Sequence, residues 1–250
     1  MANMTQGLAG KVALVTGGSR GIGAAIAWRL ASDGAAVAVT YNASPEKANE
    51  VVREIEAGGG KALAIKADGA DAAAVKAAVA ETVEHFGRLD VLVDNAGILL
   101  RGSVADFSLE DFDRIVAVNV RAIFAAVQEA SKHMGEGGRI VNIGSMVADR
   151  TGFPGAAFYG MTKAAVASMT RGFAIDLAPR GITVNNIQPG PTGTDMNPGD
   201  GPSADMLRSM IPLKRYGTAD EVAGFVAYLA SSESGFVTGA SLTIDGGLTI

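Results

Sequence analysis

Three polar side chains in the second half of the chain have the types and spacing that proton transfer requires. Tyr159 and Lys163 lie four residues apart in a stretch without proline, and Ser145 precedes them. Helix positions four apart share one face, so a phenol would lie beside an ammonium. Because a nearby cation favours the phenolate, we expect Lys163 to lower the pKa of Tyr159. With Ser145 hydrogen-bonding the same oxygen, the set suits acid–base chemistry at a carbonyl or alcohol oxygen.

A glycine-rich turn near the N-terminus indicates a nucleotide site. The apolar run 11–16 predicts a buried strand, residues 17–23 contain four glycines, and residues 24–30 favour a helix. Strand, glycine turn and helix together form the context of a dinucleotide-binding fingerprint. Glycine allows the backbone to approach a ligand closely, and a helix N-terminus offers unpaired N–H groups to a pyrophosphate.

These motifs together resemble the classical short-chain dehydrogenase/reductase family, and are similar to carbonyl reductases of the 3-oxoacyl-acyl-carrier-protein reductase type. The resemblance begins with T-G-x-x-x-G-x-G from Thr16 and includes Asn119 and the Pro-Gly segment 189–194. Segment 94–97 is Asp-Asn-Ala-Gly where the family has Asn-Asn-Ala-Gly. Ionised Asp only accepts hydrogen bonds, so we expect rearranged bonding at Asp94. The ordered motifs extend to Asp245 and cover nearly the whole chain.

The resemblance implies a role for each matching residue. Tyr159 would be the general acid in reduction and the base in oxidation, and Lys163 would also hydrogen-bond the nicotinamide ribose. Ser145 would orient the substrate oxygen, and Asn119 would hold a helix kink and a water for proton relay. Besides Tyr159 and Lys163, the predicted cofactor contacts are Gly17, Ser19, Arg20, Gly21, Ile22, Gly23, Asn42, Ser44, Asp68, Gly69, Asn95, Ala96, Gly97, Pro189, Gly190, Thr192 and Thr194.

The residues after the second predicted strand favour NADPH/NADP+ over NADH. An NAD site of this kind places an acid there to bind the ribose 2′-hydroxyl. Residues 40–44 contain no acid, and Arg20 lies in the glycine loop, which faces the same region in the family. A cation there suits a 2′-phosphate.

Strand and helix patterns alternate along the chain, which predicts an α/β fold. We expect strands at 11–16, 37–41, 62–65, 89–93, 139–143, 182–187 and 242–244. One helix is predicted to begin at Pro45, with Ser44 as its N-cap. Further helices are predicted over 71–86, after the fourth strand through Asn119, from Tyr159 to Leu177, and over 218–229. The prediction is one domain, residues 1–250, with a doubly wound Rossmann fold: a seven-stranded parallel sheet with helices on both faces.

A substrate lid is predicted at about 191–216, where the family places one. Its Gly and Pro residues suit a hinged loop, and Met206 and Met210 suit an adaptable apolar wall. The opposite wall is predicted to contain Leu99, Leu100, Met146 and Phe153. We therefore expect an apolar pocket for a ketone or keto ester of modest size.

Composition excludes several other classes of function. The 250 residues have 48% hydrophobic content, a net charge of −5 and no cysteine. Without a basic cluster, nucleic acid is not expected as a partner, and no run reaches the roughly 20 apolar residues of a membrane span. The first residues do not resemble a signal peptide, so we predict a cytoplasmic protein. His85 and His133 lack neighbours at ligand spacing, so no metal is expected. The family and the apolar ending, 237–250, predict a homotetramer.

Three functions remain open. The first is an NADPH-dependent carbonyl reductase with a small-molecule carbonyl or alcohol substrate. The second is a 3-oxoacyl-acyl-carrier-protein reductase, for which Arg180 would suit an acidic carrier, whereas Glu136 is an acid where those reductases tend to be basic. The third is a non-catalytic nucleotide-binding regulator, against which the intact set of Asn119, Ser145, Tyr159 and Lys163 argues.

Overall fold

The chain forms a doubly wound α/β structure, as predicted. A computed structural model describes residues 7–201 and 204–250. Seven strands within these ranges form one parallel sheet in the order β3-β2-β1-β4-β5-β6-β7. They are β1 Val12–Val15, β2 Ala36–Tyr41, β3 Lys61–Lys66, β4 Val91–Asp94, β5 Arg139–Ile143, β6 Thr183–Pro189 and β7 Ser241–Ile244.

The helices connect these strands. They are α1 Gly21–Ser32, α2 Pro45–Ala57, α3 Ala72–Phe86, α4 Leu109–Val116, α5 Ala122–His133, α6 Ala157–Leu177, α7 Ala204–Met210 and α8 Ala219–Ala230, with single turns at Ala117–Arg121, Met146–Ala148 and Ala178–Arg180. Strand order reverses between β1 and β4, and this is where a doubly wound sheet opens a crevice for ligands.

Two apolar cores cover the two faces of the sheet. On one face, α1, α2 and α8 pack against alternate strand residues such as Val15 and Val93. On the other, α3, α5 and α6 pack against residues such as Leu14 and Leu92. The central strands β1, β4, β5 and β6 are therefore buried on both sides, as is usual in parallel sheets, whereas the edge strands β3 and β7 are more exposed. This leaves the carboxyl ends of the strands as the edge where polar groups gather.

The structure differs from the predicted elements at several boundaries, such as β4, which begins at Val91, and three differences lie near the cavity or the sheet edge. The long helix predicted through Asn119 ends at Val116, and a π-helical turn, Ala117–Arg121, separates it from α5. The second difference is that β6 continues to Pro189, because Pro189 pairs in register with Ile244 of β7. The third is Ser44, which precedes α2 as predicted but forms no side-chain capping bond with described residues.

The segment predicted as a lid contains a short helix, α7, with Met206 and Met210 on its exposed side. Pro202 and Ser203, which belong to that segment, lie outside the described residues, as do residues 1–6, which were compared with a signal peptide above. At the other end, Leu248 is buried within its own chain, whereas Ile250 is exposed. No helix in 7–201 or 204–250 combines the length and apolar character needed to cross a bilayer.

Candidate active site

A deep cavity opens along the carboxyl edge of the sheet. Its volume is about 940 Å³, which is in the range of cofactor and ligand pockets. All the residues predicted to contact a cofactor line it, from Gly17 in the glycine loop to Thr194 after β6. Ser145, Tyr159 and Lys163 line it as well. Within the described residues, no group of three or more His, Asp or Glu side chains could hold a metal ion.

The glycine loop is held by side chains from neighbouring strands. Asn95 Nδ2 donates to the carbonyl oxygens of Thr16 and Gly17 at 2.9 and 3.0 Å. A Cβ on Gly23 would lie 2.4 Å from the Gly17 oxygen and 2.5 Å from Asn95 Nδ2. Only glycine therefore fits there, because a side chain would break the bond between the loops after β1 and β4.

Tyr159 and Lys163 lie on the first two turns of α6, on the face that meets the cavity. Lys163 is almost completely buried, and its Nζ donates to the Ile143 carbonyl at the end of β5, at 2.7 Å. The same Nζ lies 5.7 Å from the centre of the Tyr159 ring. Ser145, after β5, is a hydrogen-bonding neighbour of the Tyr159 hydroxyl. The three side chains thus meet at one end of the cavity.

The expected depression of the Tyr159 pKa is not what this structure shows. Burial raises the pKa of the phenol to about 12, and the hydrogen bond with Ser145 offsets only part of that rise. Burial also lowers the pKa of Lys163 to about 8. Removing both groups from water therefore outweighs their mutual influence across 5.7 Å. At neutral pH the phenol carries its proton and the amine is mainly protonated.

Asn119 lies in the π-helical turn, behind the cavity wall. It is fully buried and is absent from the described residues that line the cavity. Its Oδ1 accepts from the Ile98 N–H, and its Nδ2 donates to the Ile98 carbonyl and to Thr162 Oγ1, at 2.9 to 3.1 Å. Asn119 therefore joins the loop after β4 to α6, and its contacts position other residues.

Asp94, at the position where the family has Asn, is buried in the structure, and its burial bears on its protonation state. Burial raises the pKa of its carboxyl well above the usual range, so the neutral acid is favoured over the ionised form we expected. Asp94 is in register with Asn142 of β5. Asp94 Oδ2 and Asn142 Oδ1 both lack a hydrogen-bond partner among the described residues. A neutral carboxyl carries one donor, which an amide oxygen can accept.

One charged cluster at the cavity mouth could not be predicted from sequence patterns. Asp195, one residue after Thr194, places Oδ2 at 3.9 Å from the Arg20 guanidinium and at 3.2 Å from Lys47 Nζ. Lys47 lies on the first turn of α2. Two cations therefore share one carboxylate oxygen beside the glycine loop, although all three side chains are half exposed.

Most of the residues predicted to form the walls of the substrate pocket line the same cavity. Leu99, Met146, Phe153, Met206 and Met210 line the cavity, and Leu100 is outside the described lining set. Sequence patterns gave no signal for three further lining residues, Arg101, Arg150 and Leu248, which come from separate loops.

Comparison with known proteins identifies the family. A family model described as Enoyl-(Acyl carrier protein) reductase matches residues 17–249. A crystal structure of a short chain dehydrogenase from Burkholderia cenocepacia, in complex with NADP, is 54% identical. It superposes with a TM-score of 0.96, covering 97% of this chain and 99% of that one. The chain belongs to the short-chain dehydrogenase/reductase family. The predicted family and its oxidoreductase class are thereby confirmed.

Curated members of the short-chain dehydrogenase/reductase family differ in their described roles. An Escherichia coli protein described as a cyclic-di-GMP-binding biofilm dispersal mediator is 47% identical over 237 residues, 95% of this chain and 96% of that protein. A 3-oxoacyl-(acyl-carrier-protein) reductase of Staphylococcus aureus is 43% identical over 243 residues, 95% and 98% of the two chains. Family membership alone therefore leaves the substrate open.

The neutral Asp94 carboxyl leads to a stability prediction. When folding raises the pKa of a carboxyl, the free energy of unfolding falls as pH rises towards the folded pKa. The reason is that the native state still holds a proton that the unfolded state has released. Asp94→Asn removes this loss. We expect the variant to melt above the wild type at pH 8, by at least about 2 °C, which corresponds to roughly 1 kcal/mol in a domain of this size. The gap should shrink at pH 5.

Thermal unfolding of the cofactor-free proteins at both pH values measures this difference. Asp113→Asn, at an exposed position of α4, is the matched control for charge removal and should show no such gap. A wild type that is more stable than Asp94→Asn at pH 8 would contradict a neutral Asp94.

Proposed function

We propose that the protein is an NADPH-dependent carbonyl reductase that converts ketones and keto esters to alcohols reversibly. The observation that carries the proposal is that Ser145, Tyr159 and Lys163 meet in the same cavity that the glycine loop lines. A carbonyl compound bound at these three side chains would have a proton donor beside it and a cofactor site in the same cavity.

The residues of the cavity fit a phosphorylated dinucleotide. Gly17 has φ +64° and a Cβ on it would lie 2.9 Å from the Cα of Ala96, so glycine lets the loop after β1 pack closely against the loop after β4. The end of β2 has no acid to bind a ribose 2′-hydroxyl, and Arg20 faces the cavity. The complex of the Burkholderia relative with NADP supports the same cofactor here. Asp68 and Gly69 would contact the adenine, and Thr192 and Thr194 the nicotinamide carboxamide.

Each residue of the reacting end has a role in this proposal. Bound NADPH supplies the hydride that the carbonyl carbon accepts. Tyr159 donates its proton to the carbonyl oxygen, and it is fully protonated at neutral pH because its pKa is about 12. Ser145 holds the same oxygen by a hydrogen bond. Lys163, as an ammonium, stabilises the phenolate that remains, and Asn119 positions α6 through Thr162.

Two alternatives have specific support. The Staphylococcus relative favours a 3-oxoacyl-acyl-carrier-protein reductase, and the description of the family model also names an acyl carrier protein. Arg180, the cation suggested for docking a carrier, instead donates to the carbonyls of Ser131 and Met134 at the end of α5, which weakens that role. The Escherichia coli relative favours a nucleotide-binding regulator. Assays of NADPH oxidation with neutral keto esters and with an acyl-carrier substrate distinguish the three.

The remaining features of the proposal rest on the predictions from sequence. We propose that residues 1–250 act as one domain, that the segment 191–216 covers the substrate, and that the protein is a cytoplasmic homotetramer. Exposed apolar side chains such as Ile175 and Phe236 suit burial against other subunits.

Tyr159→Phe tests the proton donor. The change keeps the ring and removes the acid, so reduction of a keto ester should fall about 10²–10⁴-fold, the usual contribution of a general acid. The Kd for NADPH, measured by fluorescence titration, should stay close to that of the wild type. A variant that retains a third of the wild-type rate would show that Tyr159 does not donate the proton.

Arg20→Ala tests cofactor choice. A hydrogen bond to a charged group contributes on the order of 1.5–3 kcal/mol, so NADPH affinity should fall roughly 10–100-fold, while NADH affinity changes little. Arg29→Ala, on the helix that follows the glycine loop but outside the cavity, is the control. Equal losses for both cofactors would contradict a contact between Arg20 and the 2′-phosphate.

A further inference from the structure

The cavity lined by Ser145 and Tyr159 also has apolar and cationic lining residues outside the cofactor motifs. Met146 and Phe153 supply the walls, in the same cluster of contacts as Tyr159 and Leu248. Arg101 and Arg150 also line the cavity, and both are exposed. The residues predicted from sequence for this region are apolar, so the two arginines alter the substrate that it would accept.

Arg101 is held in place by an aromatic ring. Its guanidinium carbon lies 4.7 Å from the centre of the Phe153 ring, which is a cation–π contact. The adjacent backbone is also fixed, because the Gly102 N–H donates to the Gly155 carbonyl at 3.2 Å. Stacking on a ring leaves the N–H groups at the edge of the guanidinium able to bind a further acceptor.

Arg150 is held by a different contact. One of its terminal nitrogens donates to the Leu248 carbonyl at 2.6 Å, and Leu248 is itself buried against Met146 and Val147. A guanidinium has five N–H donors, and this bond uses one of them. Arg150 is thus tied to the cavity wall with donors to spare.

The charges of Arg101 and Arg150 are not neutralised by acids in the part of the protein that the structure describes. Within residues 7–201 and 204–250, neither Arg101 nor Arg150 has a carboxylate within ion-pair distance. The acids that line the described cavity are elsewhere: Asp94 is buried, Asp195 contacts Arg20 and Lys47, and Asp68 accepts from the Ala70 N–H in its own turn. Both arginines therefore line the cavity without an ion-pair partner among the described residues, although the chain has a net charge of −5.

We propose that the substrate is a keto acid, a carbonyl compound with an apolar body and a carboxylate remote from the reacting carbonyl. The carbonyl would lie at Ser145 and Tyr159, the body against Met146 and Phe153, and the carboxylate at Arg101 and Arg150. This inference rests on the proposed carbonyl reductase activity and specifies its substrate class. Planar guanidinium groups match carboxylates in geometry, which favours this anion.

Matched pairs of acids and esters test the proposal. The probes are 4-oxopentanoate, 5-oxohexanoate and 6-oxoheptanoate, each beside its methyl ester, with NADPH oxidation as the readout. For at least one chain length, the wild type should have a higher kcat/KM for the acid than for the ester. Arg101→Ala and Arg150→Ala should each lower that acid-to-ester ratio roughly 10-fold or more, mainly through KM for the acid, as loss of a hydrogen bond to a charged group implies.

The ratio is insensitive to the fraction of folded enzyme, so a poorly folding variant still gives an answer. Arg53→Ala, which removes an exposed arginine from α2, should leave the ratio unchanged. The proposal is overturned if the wild type prefers the ester at every chain length. It is also overturned if Arg101→Ala and Arg150→Ala leave the acid-to-ester ratio unchanged. A third result would overturn the proposal in favour of a carrier-linked substrate. In that result, the two arginines favour only acetoacetyl-phosphopantetheine over acetoacetyl-pantetheine. Failure of the parent function is separate, because then neither acids nor esters are reduced.

Discussion

Burial of the Lys163 ammonium is the constraint on which the geometry of the site depends. A charged amine away from water needs a strong acceptor in a fixed position, and the Ile143 carbonyl at the end of β5 provides one. This bond fixes the start of α6 against the sheet edge. Tyr159, one helical turn earlier, is thereby directed towards the cavity, where Ser145 meets it from the same strand end. The cost of the burial is visible in the lowered pKa of Lys163, about 8.

Two buried amides extend this constraint to the rest of the sheet edge. Asn119 joins Ile98, after β4, to Thr162 on α6, and Asn95 joins β4 to the glycine loop after β1. The cofactor groove and the reacting end are therefore parts of one hydrogen-bonded layer, supported by a close-packed parallel sheet. Asn119 lies in the π-helical turn, and from there its buried amide bonds a backbone segment outside its own helix.

Much of the fold was predictable from local patterns. Apolar runs bounded by glycine identified the strands, and ordered motifs located the groups that gather at their carboxyl ends. Local patterns failed where long-range contacts decide the outcome. The π turn within the predicted long helix depends on Asn119 reaching Ile98, and the extra length of β6 depends on pairing with β7. Ser44 has the residue type of an N-cap, but its side chain lies at the cavity.

The sequence did not predict the protonation states at the site, because burial of the side chains determines them. The residue types at 159 and 163 suggested a depressed phenol pKa, yet desolvation dominates. Asp94 looked like an ionised acceptor, but burial without a cation favours the neutral acid. Arg101 and Arg150 lie in loops without any motif, and only the folded chain shows that both line the cavity. Charge and exposure at a site depend on the whole fold, whereas the motif depends on a few residues.

Transfer of isotope from the cofactor tests the central claim most directly. The protein would be incubated with a neutral keto ester and NADPH that carries deuterium at both C4 positions of the nicotinamide, and the product examined by mass spectrometry and NMR. A carbonyl reductase places one deuterium on the carbinol carbon of the alcohol for every NADPH oxidised. An alcohol without deuterium at that carbon, or NADPH that binds without being oxidised across neutral and anionic ketones, would contradict the account.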